Sequence, residues 1–227
     1  INKKHCVIIS FLEGKKIFKV ENHHCNQVGK MLALFHKESR DFKEKRNNSM
    51  NYNEWRNIYL KSLKAKDNRF NSIMTVIDEE LKYLNSSWPQ KLPQGIIHAD
   101  VFQDNVFFKD NEFSGLIDFY FSCNDFFSYD ISLTINAWCF DYNAKFEKEK
   151  FINLIQGYES IRKLKNTEIK YLSILLRGAA LRILITRIHD FVFHPDDAYV
   201  EPKDPKEYLS ILEFHQKNNL GNLLLCK

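Results

Sequence analysis

Three side chains near the middle of the sequence have the types and spacing that phosphoryl-transfer chemistry needs. Asp100 precedes Asn105 by five residues in His98-Ala99-Asp100-Val101-Phe102-Gln103-Asp104-Asn105. Asp118 follows Asn105 by thirteen residues, in Leu116-Ile117-Asp118-Phe119. One carboxylate can orient an acceptor hydroxyl and take its proton. A second carboxylate and an amide oxygen can hold Mg2+, a hard cation that prefers oxygen ligands and keeps several waters, against nucleotide phosphates. Asp and Asn are also ordinary turn residues, so an isolated D-x-x-x-x-N carries little information. The signal is the combination: His98 two residues before Asp100, an apolar run before it, and an apolar-Ile-Asp-Phe run after a hairpin.

The elements that must position these residues can be read around them. Gly95-Ile96-Ile97-His98 is a strand candidate. Asn105 to Phe108 is a second, and Phe113 to Phe119 a third. Lys109-Asp110-Asn111-Glu112 is the polar turn of a hairpin joining the last two. A hairpin brings its ends together, so Asn105 and Asp118 can converge near Asp100. Outside this insert the periodicity is helical. Val28, Leu32 and Phe35, with Met31 one step aside, predict a helix over about 22–39. Further helices are predicted near 53–66, 69–85, 127–140, 145–162, 167–191 and 204–216, the last entered between Pro202 and Pro205 with Asp204 as cap. The short apolar run 6–12 predicts one more strand, stopped by Glu13-Gly14. The expected class is α+β, mostly helical with a small β insert.

Composition narrows the functional classes. With 33 Lys and Arg against 29 Asp and Glu, the net charge of +4 permits an anionic ligand such as a nucleotide. No basic stripe interleaved with aromatics points to nucleic acid; the basic run 42–46 reads as a solvated face. No stretch of eighteen apolar residues predicts a membrane span, and the start has no apolar core of signal-peptide length. Five dispersed cysteines without a C-x-x-C fit reduced thiols and a cytoplasmic location better than a disulfide framework or a zinc site.

At these motifs the sequence resembles the aminoglycoside phosphotransferase-like kinases, which share the protein-kinase-like fold. Their H-G-D-x-x-x-x-N reads His98-Ala99-Asp100-Val101-Phe102-Gln103-Asp104-Asn105 here, and their I-D-x-x reads Ile117-Asp118-Phe119-Tyr120. The change to Ala99 is expected to be tolerated if its φ is negative. The blocks 11–15, 24–36, 115–139 and 175–216 resemble the members of that family that act on L-homoserine, so the resemblance covers essentially the whole chain. It implies ATP- and Mg2+-dependent phosphorylation of the side-chain hydroxyl of L-homoserine, giving O-phospho-L-homoserine and ADP in threonine biosynthesis.

By the same resemblance, Asp100 matches the catalytic base, and Asn105 and Asp118 match the metal ligands. Asp130 matches an Asp that braces the catalytic loop, although a carboxylate in the first turn of a helix is also favoured by the dipole. His98 supports the loop. The backbone carbonyl of Ser10 and the amide of Leu12 would bond the adenine. A cation is needed for the acceptor carboxylate. Arg177, Arg182 and Arg187 lie five residues apart on one predicted helix, and steps of about 500° cannot aim all three the same way. Arg177 and Arg182 are preferred because Gly178, Ala179 and Ala180 permit close approach; each could instead brace a neighbouring carboxylate. Asp125 is the candidate partner for the acceptor ammonium. Trp138 and Tyr120 are read as core or pocket wall.

The implied arrangement is a hinge-strand remnant of the N-terminal lobe over 1–13, and a helical C-terminal lobe over 14–227 that carries the catalytic and metal loops at 95–121. The phosphate-covering loop and the phosphate-pairing Lys of the family have no counterpart in these residues, so the sequence is read as a partial one. The alternatives are another acceptor of the same family (an aminoglycoside, choline or an amino alcohol) and a non-catalytic nucleotide-binding fragment.

Overall fold

Residues 10–195 and 198–225 are described by the computed structural model. In chain order they form α1 (Asn22–Glu38), α2 (Tyr52–Lys64), α3 (Asn71–Ser87), β1 (Gln94–Ile97), β2 (Val106–Lys109) and β3 (Glu112–Leu116). These are followed by β4 (Cys123–Phe126), α4 (Phe127–Trp138), α5 (Lys148–Glu159), α6 (Asn166–Val192), α7 (Lys206–Lys217) and the short α8 (Asn222–Leu225). All seven helices expected from the periodicity are present. The class is α+β and helix-rich, as expected.

The strands form two separate antiparallel pairs. β2 and β3 make the hairpin, with Val106 opposite Leu116 and Lys109 opposite Glu112. Asp110 and Asn111 both take positive φ, 53° and 65°, the geometry of a two-residue hairpin turn that Asp and Asn tolerate. β1 pairs with β4, Ile97 opposite Cys123 and Gln94 opposite Phe126. β4 escapes the sequence reading because Asn124 and Asp125 interrupt its apolar pattern; its conformation is supplied by the partner strand. The third expected strand is also shorter than its 113–119 run. It stops at Leu116, so Asp118 lies on a turn beyond the hairpin and not at a strand end.

Most of the strand expected over 6–12 falls outside the described residues, and Ser10 to Glu13 is irregular. Lys15 exchanges two backbone hydrogen bonds with Phe108 (2.8 and 2.9 Å), and the Ser114 hydroxyl donates to the Glu13 carbonyl, so this segment lies along the hairpin.

Two apolar clusters meet on α6. One gathers α2, α3, α7 and the β1–β4 pair around Leu175, Ala179 and Leu184. The other gathers α1, α4, α5 and the hairpin around Leu172 and Leu176. A helix of 27 residues buried on several faces becomes the central post of the domain. α1 and α5 approach backbone to backbone at Gly29 and Gly157. A Cβ at Gly29 would lie 2.0 Å from the Leu154 carbonyl oxygen, and one at Gly157 would lie 1.9 Å from that of Asn26. That contact holds α1 close enough for its last turn to reach the β insert. Among the described residues no helix is long and apolar enough to cross a membrane. Cys25, Cys123 and Cys139 are buried free thiols.

Candidate active site

The segment from His98 to Asn105 has little regular structure, yet His98, Ala99, Val101 and Gln103 are each tied to the helix α4 behind it. Asp130, fully buried in the first turn of α4, accepts from the His98 amide on Oδ2 and from the Ala99 amide on Oδ1, both at 2.8 Å. The Trp138 indole, two turns further along α4, donates to the Val101 carbonyl at 2.7 Å. Between them the Ala137 carbonyl accepts from the Gln103 side chain at 3.0 Å. Residues 130, 137 and 138 lie on one side of a helix, so α4 holds the loop along its length. Trp138 is therefore core and loop anchor, whereas Tyr120 is exposed beside Arg46.

Behind Asp130 stands a relay that sequence reading missed. His36, fully buried at the end of α1, bonds Asp130 Oδ2 through Nε2 at 3.0 Å and the Tyr158 hydroxyl through Nδ1 at 2.8 Å. Arg162 donates to the same hydroxyl at 3.2 Å and to both carboxylate oxygens of Glu168. Burial pushes the His36 pKa down, outweighing the attraction of Asp130, so the imidazole is neutral: Nε2–H donates to Asp130, and Nδ1 accepts from Tyr158. Burial alone would raise the Asp130 pKa; the bonds from His36 and the loop amides overcome it and hold the carboxyl below its usual range. The available signal was that His36 continues the apolar stripe of Val28 and Leu32.

Ala99 corrects an expectation. Its φ is +64°, the left-handed region that the family's Gly occupies freely, where an Ala costs about 1 kcal/mol. The strain is held from both sides: Asp130 takes the Ala99 amide, and Arg182 Nη1 donates to its carbonyl at 2.8 Å. Arg182, expected to contact substrate, is thus a buried brace of the loop.

The loop presents Asp100 and Asn105 together. Asn105 Nδ2 donates to the Asp100 carbonyl (2.9 Å) and to Asp100 Oδ2 (3.0 Å), which leaves the amide oxygen as the end available to a cation. His98 couples the loop to the far end of the hairpin. Its Nδ1 accepts from the Asp100 amide at 3.2 Å while Nε2 meets the Ile117 carbonyl at 3.1 Å, one residue before Asp118. His98 therefore supports the loop geometrically. Asp118 is exposed on a left-handed residue, φ +63°, and among the described residues its carboxylate accepts only a 3.3 Å bond from the Tyr120 amide. Asp100, Asn105 and Asp118 line one cavity of about 250 Å3. Burial raises the Asp100 pKa, with Arg182 and His98 opposing and the Asp118 charge adding to the rise, which suits a proton acceptor. The donor set fits Mg2+: hard oxygens, with the competing amide nitrogen of Asn105 already engaged. Among the described residues no cluster of three His, Cys, Asp or Glu could hold a metal, so a cation here would complete its shell from nucleotide and water.

The other expected site residues stand elsewhere. Arg177 forms a bidentate pair with Glu80 (2.6 and 2.7 Å) and covers the Tyr83 ring at 3.8 Å, away from the cavity. The space over Gly178 is filled by Trp88, so it admits no substrate. Asp125 is held in β4, where it accepts from Asn48 at 2.6 Å and from the Phe126 amide at 2.7 Å. The arginine that does line the cavity is Arg187, together with Lys203. Ser10 is exposed, and Leu12 packs on Gly115 of the hairpin; among the described residues the Ser10 carbonyl and the Leu12 amide have no hydrogen-bond partner.

Comparison with known proteins places the chain as a whole. Residues 1–164 match the phosphotransferase enzyme family. The chain is 43% identical to a homoserine kinase of Rhizobium etli over 217 residues, covering 96% of this chain and 68% of that protein. It is 44% identical to that of Sinorhizobium fredii, covering 95% and 66%. It thus spans about two thirds of the length of these curated relatives. In fold it is similar to an ethanolamine kinase of Plasmodium vivax (TM-score 0.65, 15% identity, 91% of this chain and 63% of that one). It is also similar to a choline kinase of Cryptosporidium parvum (TM-score 0.63, 16% identity, 91% and 68%).

Proposed function

This chain belongs to the phosphotransferase enzyme family, among its homoserine kinases, and from that premise we propose that the full-length protein transfers the γ-phosphoryl group of ATP to the side-chain hydroxyl of L-homoserine. The products are O-phospho-L-homoserine and ADP, a step toward threonine. The observation that carries this reading is Asp100 and Asn105 held together on a buried, braced loop facing Asp118, in a chain about 43% identical to homoserine kinases over nearly its whole length.

Asp100 orients the acceptor hydroxyl and accepts its proton as the oxygen attacks the γ-phosphorus; the bond to the bridging oxygen breaks and ADP leaves. A positioned base of this kind contributes about 10²- to 10⁴-fold. Asn105 Oδ1 and a carboxylate oxygen of Asp118 would hold Mg2+. Held by these two side chains, Mg2+ would supply neutralisation of charge on the transferring phosphoryl group and the leaving oxygen. His98 and Asp130 keep Asp100 in place and touch no reacting atom. The adenine is assigned to the backbone of Ser10 and Leu12, at the outer edge of the hairpin.

The test is ADP release by the full-length protein with Mg2+ and ATP, comparing L-homoserine, choline and an aminoglycoside. Homoserine-dependent release is expected. Turnover with choline or the aminoglycoside but not with homoserine would overturn the assignment of acceptor.

A further inference from the structure

Resting on that reading of the acceptor, we propose that Arg187, with Lys203 at its rim, is the carboxylate clamp that makes the site select an amino acid over an amino alcohol. Both line the cavity that holds Asp100. Ile183, one turn before Arg187 on the same face of α6, and Phe102 supply apolar wall for the methylenes of a short acceptor. A hydroxyl at Asp100 and a carboxylate at Arg187 are the two ends that homoserine presents.

Arg187 is built as a fixed donor. Its side chain is only 10% exposed, its guanidinium lies 4.5 Å over the Tyr208 ring, and Nη1 alone is spent on the protein, donating to the Asp204 carbonyl (2.9 Å) and to Glu207 (2.6 Å). Among the described residues no hydrogen bond engages Nε or Nη2, the pair of parallel donors that a carboxylate takes bidentately. The neighbouring cations are held by ion pairs at the cavity rim. Lys16 and Lys203 share the single carboxylate of Asp104 (3.5 and 3.3 Å), and Arg187 has Glu207. Asp100 and Asp118 also line the cavity, so these three cations face four carboxylates: Asp104 and Glu207 pair with them, while Asp100 and Asp118 are assigned to the acceptor hydroxyl and Mg2+. The other arginines of α6 are committed, Arg177 to Glu80 and Arg182 to the Ala99 carbonyl.

The experiment is steady-state kinetics of the full-length protein with L-homoserine and with 3-aminopropan-1-ol, the same chain without the carboxylate. Arg187→Met is expected to lower kcat/KM for homoserine by ~100-fold, chiefly through KM, with turnover of the amino alcohol and KM for ATP little changed. Arg187→Lys, which keeps charge but loses the fork, should fall between. Lys203→Gln alters an exposed side chain, so it reads the same preference without risk to folding; a loss of about 3- to 10-fold for homoserine alone is expected. Equal losses for both acceptors would reduce Arg187 to a structural brace, and a raised KM for ATP alone would make it a phosphate ligand; either overturns the proposal. If the wild-type protein does not phosphorylate homoserine at all, the functional reading itself fails. If it does, and Arg187→Met and Lys203→Gln both leave the preference intact, only the clamp fails.

Discussion

The two halves of the catalytic cavity are held in opposite ways. The loop 98–105 is buried against α4, with its amides and carbonyls bonded to Asp130, Arg182 and Trp138. The turn 117–121 is open: Asp118, Phe119 and Tyr120 are exposed, and one 3.3 Å bond steadies the Asp118 carboxylate. The base is thus positioned before any ligand arrives, which lowers the reorganisation needed during reaction. The metal-ligand turn is held through its backbone, by Arg46 on the Tyr120 carbonyl (2.6 Å) and by the Asn105 carbonyl on the Ile117 amide (3.0 Å), while the Asp118 carboxylate itself is weakly restrained and suited to being ordered by what it binds. His98 and Arg182 span both halves, His98 through the Asp100 amide and the Ile117 carbonyl, Arg182 through the Ala99 carbonyl and the Phe121 ring.

Removing the brace should give the largest effect. Asp130→Ala leaves two buried loop amides and His36 without their acceptor. It should destabilise the chain by about 3–5 kcal/mol in urea unfolding. A loss under ~1 kcal/mol would erase the distinction between the two halves. Asp100→Ala in the full-length protein should lower kcat by about 10²- to 10⁴-fold while ATP binding and the unfolding midpoint hold, because the loop keeps its bonds to Asp130, Arg182 and Trp138 and Asn105 keeps the Asp100 carbonyl. Unchanged turnover would remove Asp100 as base.

The braced half should also show in pH dependence. Burial raises the Asp100 pKa in the metal-free chain, so titration of the ligand-free protein should place this carboxyl above an exposed aspartate; a value at or below that of an exposed aspartate would contradict a desolvated base. Stability should respond separately. His36 and His215 are buried with lowered pKa values, His215 at about 3, chiefly through burial. The unfolded chain then takes up their protons first, and stability falls as pH drops below ~6.5. The slope is about 1.4 kcal/mol per unit for each histidine, and for His215 it continues to about 3. His215→Gln should flatten its part of that slope in urea titrations across pH.

Asp118→Ala probes the open half. Stability should move by no more than ~0.5 kcal/mol, while Mg2+-dependent nucleotide binding by the full-length protein is lost; a normal metal titration would rule Asp118 out as ligand. The smallest effect should come from Ala99→Gly. Relief of about 1 kcal/mol of left-handed strain is offset by the greater chain entropy of Gly, so unfolding should shift by under ~1 kcal/mol. A large destabilisation would mean that the Ala99 methyl group packs more than its backbone strains.

The helices were legible because apolar residues recurring every three or four positions need only a neighbouring surface, whichever it is. The chemistry of Asp100, Asn105 and Asp118 was legible for a related reason: a loop and a hairpin bring near residues together by local geometry alone. β4 was not legible, since Asn124 and Asp125 hide a strand whose pairing is supplied by β1. Nor was Asp118's place on a left-handed turn beyond β3.

What the sequence determined by itself was that the three arginines of α6 face different directions, because steps of five residues do not repeat on a helix. Which of them meets the cavity was decided by packing. Glu80 from α3 claims Arg177, the strained carbonyl of Ala99 claims Arg182, and the chain leading into α7 leaves Arg187 at the cavity wall. His36 is the same case, an apolar-stripe position in sequence and the partner of Asp130 only once Gly29 and Gly157 let α1 and α5 close. Local spacing sets the face a side chain occupies; only the tertiary contacts set which charge, carbonyl or cavity lies opposite it.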